Sequence, residues 1–162
     1  MKNQQLNKIN KIVVNAGVGR LSQQPHFEEK ILPELIKNLS LITGQKPMTC
    51  RAKKSIAGFK IREGQIVGLK ITLRRQRMFY FLEKLIKIIF PRMKDFRGIS
   101  LKNIDLAGNL SIGLKEQSVF PEINLETLKV DFGLEISIVS NIKNREEAIK
   151  LYRLLGIPLK RI

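Results

Sequence analysis

Residues 78–90, MFYFLEKLIKIIF, constrain the fold more than any other stretch of the sequence. The apolar residues follow helical spacing and cover more than half of the helix circumference, although Lys84 and Lys87 lie among them. A basic amphipathic helix of this kind can lie on an anionic membrane surface. Because so wide an apolar face is better covered by protein, we expect the helix to pack under a sheet. We expect Pro91 to end it.

Segments with strand patterns precede and follow this helix. Runs rich in β-branched residues predict the strands, and Asn144 with Glu147 three residues later resembles a capping box that opens a last helix. The order of elements predicts an α+β fold, with helices on one face of a mainly antiparallel sheet. The predicted strands are 8–15, 46–53, 65–75, 110–115, 117–120 and 133–141, and the other predicted helices are 27–41 and 145–155.

The first predicted helix carries its own start and stop signals. An apolar residue recurs every four positions from Phe27 to Leu39, which indicates one apolar stripe. Pro33 falls inside this stripe and should either kink the helix or mark its true first turn. Gly44 follows the last apolar position, where a helix C-cap is expected.

The length of 162 residues favours a single domain, 1–162, and no internal repeat or linker divides it. No window approaches the roughly 20 apolar residues that a membrane crossing needs. The opening residues, MKNQQLNKINK, lack the apolar core of a targeting peptide. We therefore expect the protein to work where it is made.

Positive charge dominates the chain and is concentrated in one part of it. There are 30 Lys and Arg residues against 14 Asp and Glu residues, for a formal net charge of +16. Residues 35–82 carry eleven basic residues and one acid, Glu63, whereas residues 116–147 carry seven acids and three bases. A merely soluble basic protein would not usually segregate charge in this way. The pattern predicts a polyanionic partner, and nucleic acid is the commonest one.

Residues suited to catalysis or metal binding are scarce. The only cysteine, Cys50, excludes an internal disulfide and a cysteine-rich zinc site, and the only histidine, His26, is interpreted as a surface residue. The turn GVGR at 17–20 lacks the third glycine of a dinucleotide fingerprint. The acidic pairs at 28–29 and 146–147 fall in predicted first turns of helices, where they complement the helix dipole. We predict no catalytic residue, metal or cofactor, and a basic nucleic-acid-processing enzyme is the alternative function.

The stretch AKKSIAGFKIREG, residues 52–64, combines cations with an aromatic ring. Lys and Arg side chains bind phosphates, and an aromatic ring beside a guanidinium offers planes on which unpaired RNA bases stack. Phe59 and Arg62 can supply those planes. The alternative places Phe59 in the core beneath a loop, which leaves the clustered cations unexplained.

Six segments, in their order and spacing, resemble the ribosomal protein L5 family of the large subunit, over residues 8–159. These segments are NAGVG (15–19), ITGQKP (42–47), AKKSIAGFKIREG (52–64), TLRRQRM (72–78), PRMKDFRG (91–98) and EQSVFPEI (116–123). The resemblance implies a five-stranded antiparallel sheet with helices packed on one face. It also implies a non-enzymatic protein without cofactor that anchors 5S ribosomal RNA in the central protuberance.

The resemblance further implies partners and site residues. The expected partners are 5S rRNA, 23S-type rRNA, the tRNA in the peptidyl site, other central-protuberance proteins and a protein of the small-subunit head, with no membrane. The ribosome would be that of a bacterium or of an organelle that encodes the protein. The implied residues are Asn15, Gln45, Phe59 and Arg62 for 5S rRNA, Lys53, Lys54, Ser55, Ile56, Ala57, Gly58 and Lys60 for tRNA, and Arg92, Lys94 and Arg97 for the small-subunit bridge.

Within the stretch 52–64 we expect a division of labour. Phe59 and Arg62 would lie at the rooted end of the loop, and the lysines would serve the phosphates. Because the tRNA is a transient partner, the loop is expected to be mobile when unbound, as Gly58 permits.

Three departures from the family pattern are visible. The usual N-terminal helical segment is expected to be missing, because the first strand begins almost at once. Leu106 and Ala107 stand where the family usually has Gly and Arg, so one cation is lost. SNIKN at 140–144 replaces a Thr-rich run, which weakens inference about that surface.

Overall fold

The computed structural model describes residues 8–94, 96–124 and 130–160. Within those ranges the chain forms five strands and three helices of ten or more residues, which we number in chain order. The strands are β1 (Ile9–Gly17), β2 (Met48–Arg51), β3 (Ile66–Leu73), β4 (Leu110–Leu114) and β5 (Leu134–Ser140), and the helices are α1 (Leu32–Thr43), α2 (Arg75–Lys84) and α3 (Arg145–Leu155).

The five strands form one antiparallel sheet in the order β2-β3-β1-β5-β4, which confirms the predicted α+β class. The register of the edge pair aligns Met48 with Lys70, and it shifts between Cys50 and Arg51. Along β1, residues 12, 14 and 16 are fully buried and residues 13, 15 and 17 are not. This period of two is the pattern of a sheet with one covered face.

Both helix-associated prolines lie just after a π-helical turn. The π turn Phe27–Ile31 precedes Pro33, which lies in the first turn of α1, so Pro33 marks the true start of the α-helix as one alternative predicted. The π turn Leu85–Ile89 follows α2, and the helical path continues over Phe90–Arg92. The prediction that Pro91 stops the helix is therefore wrong by one residue, because the π turn, whose bonds run from residue i to residue i−5, has already changed the pattern that proline would interrupt.

The predicted helix ends are confirmed at two sites. Gly44 follows α1 with a φ of 68°, and its N–H donates to the Ser40 carbonyl at 2.8 Å. Asn144 precedes α3 as its N-cap, but its Oδ1 accepts from the Glu146 N–H, at 2.9 Å, and not from the Glu147 N–H that the predicted capping box would use. Both caps satisfy backbone groups that the helix itself leaves unpaired.

One predicted strand, 117–120, is wrong. Residues Gln117–Val119 form a 3-10 turn instead, which the Phe120 N–H closes by donating to the Gln117 carbonyl at 3.1 Å. The Gln117 side chain is fully buried, and its Nε2 donates to the Val130 carbonyl at 2.7 Å. The Gln117 side chain therefore has a partner thirteen residues away, which the sequence of 117–120 alone does not reveal.

The chain divides into two compact units, each with its own core, and the single-domain expectation stays a prediction. The first unit comprises Met1–Val13, Thr72–Gly113 and Glu135–Ile162, and the second comprises Val14–Ile71 and Leu114–Leu134. In the first unit, Leu85 and Tyr152 are fully buried. In the second, Leu35, Leu39 and Phe120 are fully buried. Within the described ranges, every helix falls short of the length and apolar character that crossing a membrane requires.

Candidate nucleic-acid interface

The loop of residues 52–64, hereafter the basic loop, extends the hairpin between β2 and β3. The Ala52 N–H donates to the Gln65 carbonyl at 2.8 Å, and the Gly64 N–H donates to the Ala52 carbonyl at 2.9 Å. The Arg51 guanidinium donates from Nη1 to the Gly64 carbonyl at 2.8 Å. The base of the basic loop is therefore closed by backbone pairing and one arginine brace.

The outer part of the basic loop is a second, smaller hairpin. Ile56 and Ile61 exchange both backbone hydrogen bonds, at 2.9 and 3.2 Å. Between them Ala57–Phe59 form a 3-10 turn, and Lys60 takes a left-handed conformation with a φ of 52°. Phe59 thus lies at the tip of the basic loop, so its expected placement at the rooted end is wrong. The order of residues along a loop does not reveal where the chain reverses.

Phe59 is 68% exposed, so the alternative that it belongs to the core is also wrong. Lys53, Lys54 and Lys60 are exposed as well. Arg62 is exposed, and its side chain makes no ion pair with any residue that the structure describes. The basic loop therefore presents a solvent-facing ring and four cations, an arrangement suited to phosphates and unstacked bases.

Two glutamine side chains tie the basic loop to the 3-10 turn Leu21–Gln23. Gln65 accepts the Arg62 N–H on Oε1 at 2.9 Å and donates from Nε2 to Ser22 Oγ at 2.8 Å. Gln23 donates from Nε2 to the Phe59 carbonyl at 2.8 Å. These bonds oppose the mobility that we expected of the unbound loop, which stays a prediction. Sequence reasoning missed both residues, because their partners lie 36 and 43 positions away.

A cleft of about 690 Å³ opens between that turn and the basic loop. Its volume falls in the range of small-molecule pockets. Its wall carries two cations, two carboxylates, two side-chain amides and one hydroxyl, so the charges of the cleft balance. The lining residues are Ser22, Gln23, Glu28, Lys60, Arg62, Glu63 and Gln65.

The structure places the two other predicted 5S residues on different elements. Asn15 is half-buried on β1, and its Oδ1 lies 3.8 Å from the position that a Cβ on Gly68 of β3 would occupy. Gln45 is half-buried after α1, where its backbone exchanges hydrogen bonds with the Thr43 hydroxyl. Phe59 and Arg62 are brought together in the basic loop, whereas Asn15 and Gln45 are held by their own strand and helix end.

The predicted bridge segment, 91–98, lies in the first unit. Arg92, Lys94 and Arg97 are exposed, and Asp95 lies outside the described residues. The rings of Phe90 and Phe96 stack with centroids 5.2 Å apart, which holds the two ends of the segment together. The cations are therefore carried by a segment with an apolar anchor.

The turn that contains two departures from the family pattern is well ordered by hydrogen bonds. Asp105 accepts from the backbone N–H and the side-chain amide of Asn109, at 2.7 and 2.8 Å. Slight burial raises the pKa of Asp105, but these bonds outweigh it and hold the pKa below its usual value. Leu106 is 84% exposed in this turn, so the surface there is apolar rather than cationic.

Comparison with known proteins bears on the whole chain. The family model described as Ribosomal protein L5 matches residues 4–62, and the model for the C-terminus of the same ribosomal family matches residues 66–159. The chain is 46% identical to the large ribosomal subunit protein uL5 of Syntrophomonas wolfei, covering 96% of this chain and 85% of the relative. It is 47% identical to uL5c of Cyanidium caldarium (96% and 84%) and 46% identical to uL5 of Helicobacter pylori (97% and 84%).

Proposed function

The chain belongs to the ribosomal protein L5 family and is a non-enzymatic constituent of the large ribosomal subunit, and on that premise we propose that its basic loop binds 5S ribosomal RNA. The observation that carries the proposal is the exposed Phe59 in the same loop as Arg62, whose side chain pairs with no carboxylate among the described residues. A ring that is 68% exposed on a protein surface loses apolar hydration when a base stacks on it.

Asn15 and Gln45 complete the proposed 5S-binding set. Their amides can donate and accept, which suits the mixed edges of unpaired bases and the 2′-hydroxyls of RNA. Both are half-buried on fixed elements, so each would contact RNA with one end of its side chain. These amides would orient the RNA, and the basic loop would supply most of the affinity.

The lysines of the basic loop, Lys53, Lys54 and Lys60, are proposed to face the tRNA in the peptidyl site. Lys53 and Lys54 precede a short exposed stretch, Ser55 to Gly58, without acidic residues. A lysine binds phosphate as a flexible point charge and needs little fixed geometry, which suits a partner that comes and goes. The tRNA contact would therefore be weaker and more dependent on salt than the 5S contact.

Arg92, Lys94 and Arg97 are proposed to contact the small-subunit head. All three are exposed on a segment that the Phe90–Phe96 stack anchors at its base. The other proposed partners are 23S-type rRNA and neighbouring proteins of the central protuberance. The ribosome concerned would be that of a bacterium or of an organelle that encodes the protein.

Filter binding to 5S rRNA tests the main proposal. Phe59→Ala and Arg62→Ala should each weaken binding by roughly 1–3 kcal/mol, the value of one base stack. Tyr80→Ala is the matched control, because Tyr80 is 62% exposed but lies outside the basic loop. Wild-type affinity in both loop variants would overturn the assignment.

Lys53→Ala separates the two RNA contacts. It should reduce tRNA-dependent activity of reconstituted subunits more than 5S affinity, because Lys53 precedes the outer hairpin that Ile56 and Ile61 close. Equal losses in the two assays would contradict the division of labour.

If about six phosphates are neutralised, log affinity should fall with log salt with a slope of about −4 to −5.

A further inference from the structure

We propose that Gln23 and Gln65 are positioning residues for RNA binding, which hold the basic loop in its binding conformation through hydrogen bonds to its backbone. The inference rests on the proposed function of Phe59 and Arg62 and adds two residues that act through them. We call these two side chains the glutamine clamp.

Gln65 connects the end of β1 to the backbone of Arg62. Its Oε1 accepts the Arg62 N–H at 2.9 Å, and its Nε2 donates to Ser22 Oγ at 2.8 Å. The Ser22 hydroxyl in turn donates to the Gly19 carbonyl at 2.9 Å, two residues beyond β1. Donors and acceptors match along this relay, so the Gln65 amide has one orientation that satisfies it.

Gln23 acts on the tip of the basic loop. Its Nε2 donates to the Phe59 carbonyl at 2.8 Å, which fixes the peptide plane between Phe59 and Lys60. Lys60 follows with a φ of 52°, a conformation that a lysine rarely adopts without support from its surroundings. Fixing this plane limits the directions in which the Phe59 ring can point.

Hydrogen bonds are the main source of order at the tip of the basic loop. Residues 53–60 are all exposed, so none of their side chains anchors the tip in a core. A loop that is ordered in advance loses less conformational entropy on binding. The clamp should therefore raise affinity without touching RNA.

A double-mutant cycle with 5S rRNA tests this inference. Gln23→Ala, which loses one hydrogen bond, should weaken binding by about 2–10-fold, and Gln65→Ala, which loses two, should weaken it at least as much. In a Phe59→Ala background, Gln23→Ala should change affinity by less than about 2-fold, because the ring that it positions is gone. Gln24→Ala is the matched control, since Gln24 is an exposed neighbour outside the clamp.

Hydrogen exchange on the same proteins provides a second readout. Gln65→Ala should speed exchange of the Arg62 amide, whose acceptor it removes, and Gln24→Ala should leave that amide unchanged. Gln23 is exposed, so its variant should fold normally and keep the exchange rates of β1 and β3.

The possible outcomes separate the two proposals. If Phe59→Ala and Arg62→Ala both bind like the wild type, the 5S assignment fails and the clamp fails with it. If Phe59→Ala binds weakly but both clamp variants bind normally, only the clamp is overturned. If Gln23→Ala loses the same factor in both backgrounds, Gln23 contacts RNA directly and its positioning role is refuted.

Discussion

Replacing Tyr152 by phenylalanine removes one hydroxyl group from the interior of the first unit. Tyr152 is fully buried, and its hydroxyl donates to the Gly108 carbonyl at 2.7 Å and lies 3.3 Å from the Ile138 carbonyl. The Ser140 hydroxyl also donates to the Gly108 carbonyl, at 3.1 Å, so the variant leaves that acceptor with a partner. We therefore expect a loss of about 1 kcal/mol in the free energy of unfolding at pH 7, the value of one net hydrogen bond.

At alkaline pH the wild type should become less stable than Tyr152→Phe. Burial raises the pKa of Tyr152 from 10.0 to about 12, and the nearby charge of Asp105 adds to the shift. The unfolded chain then loses its phenolic proton at lower pH than the folded chain, so the contribution of Tyr152 is complete below pH 10. It declines as pH rises from 10 towards 12, by up to roughly 2–3 kcal/mol.

Urea unfolding followed by circular dichroism from pH 7 to pH 12 measures both effects. The wild type should be more stable at pH 7 and less stable than Tyr152→Phe near pH 12. Tyr80→Phe is the control, because it removes an exposed hydroxyl and leaves Tyr152 in place. Parallel stability curves for the wild type and Tyr152→Phe up to pH 12 would refute the reasoning.

Two further predictions concern backbone strain. Arg75 opens α2 with a φ of 53°, so Arg75→Gly should relieve backbone strain and raise Tm by about 2–4 °C. Arg77→Gly, in the same helix, should lower Tm. A lower Tm for Arg75→Gly would count against strain at that position. Gly108 has a φ of 79°, and a Cβ there would lie 2.5 Å from the Ile142 carbonyl oxygen. Gly108→Ala should therefore lower the free energy of unfolding, measured in urea, by about 2–4 kcal/mol. Gly58→Ala, where a Cβ meets nothing within 4 Å, should change stability by less than about 0.5 kcal/mol, and similar losses in the two variants would contradict the argument.

Local signals account for the elements that could be predicted from sequence. Helix α3 was placed at its observed bounds because Asn144 and Glu147, the residues that indicate its start, lie within one short segment. The 3-10 turn at Gln117 was missed because the Gln117 side chain is buried and bonds to Val130, a contact that no local pattern records. Elements set by neighbours in sequence can be predicted, and those set by distant partners cannot.

The candidate site follows the same rule. The composition of the basic loop predicted its cations and its aromatic ring, because the charge or ring of a side chain follows from the residue type alone. The position of Phe59 at the tip depends on where Ile56 and Ile61 pair, and the clamp depends on a bond between Ser22 and Gln65 across 43 positions. The sequence therefore predicted which side chains are available but not how they are held.

The strand order has a consequence for synthesis of the chain. β1 is translated first but lies between β3 and β5, so one of its two edges waits until residue 140 has been made. A nascent chain that stops before residue 134 exposes that edge in a segment rich in Ile and Val, which invites pairing with other chains. Completion of β5 therefore ends the period in which this segment can pair with another chain.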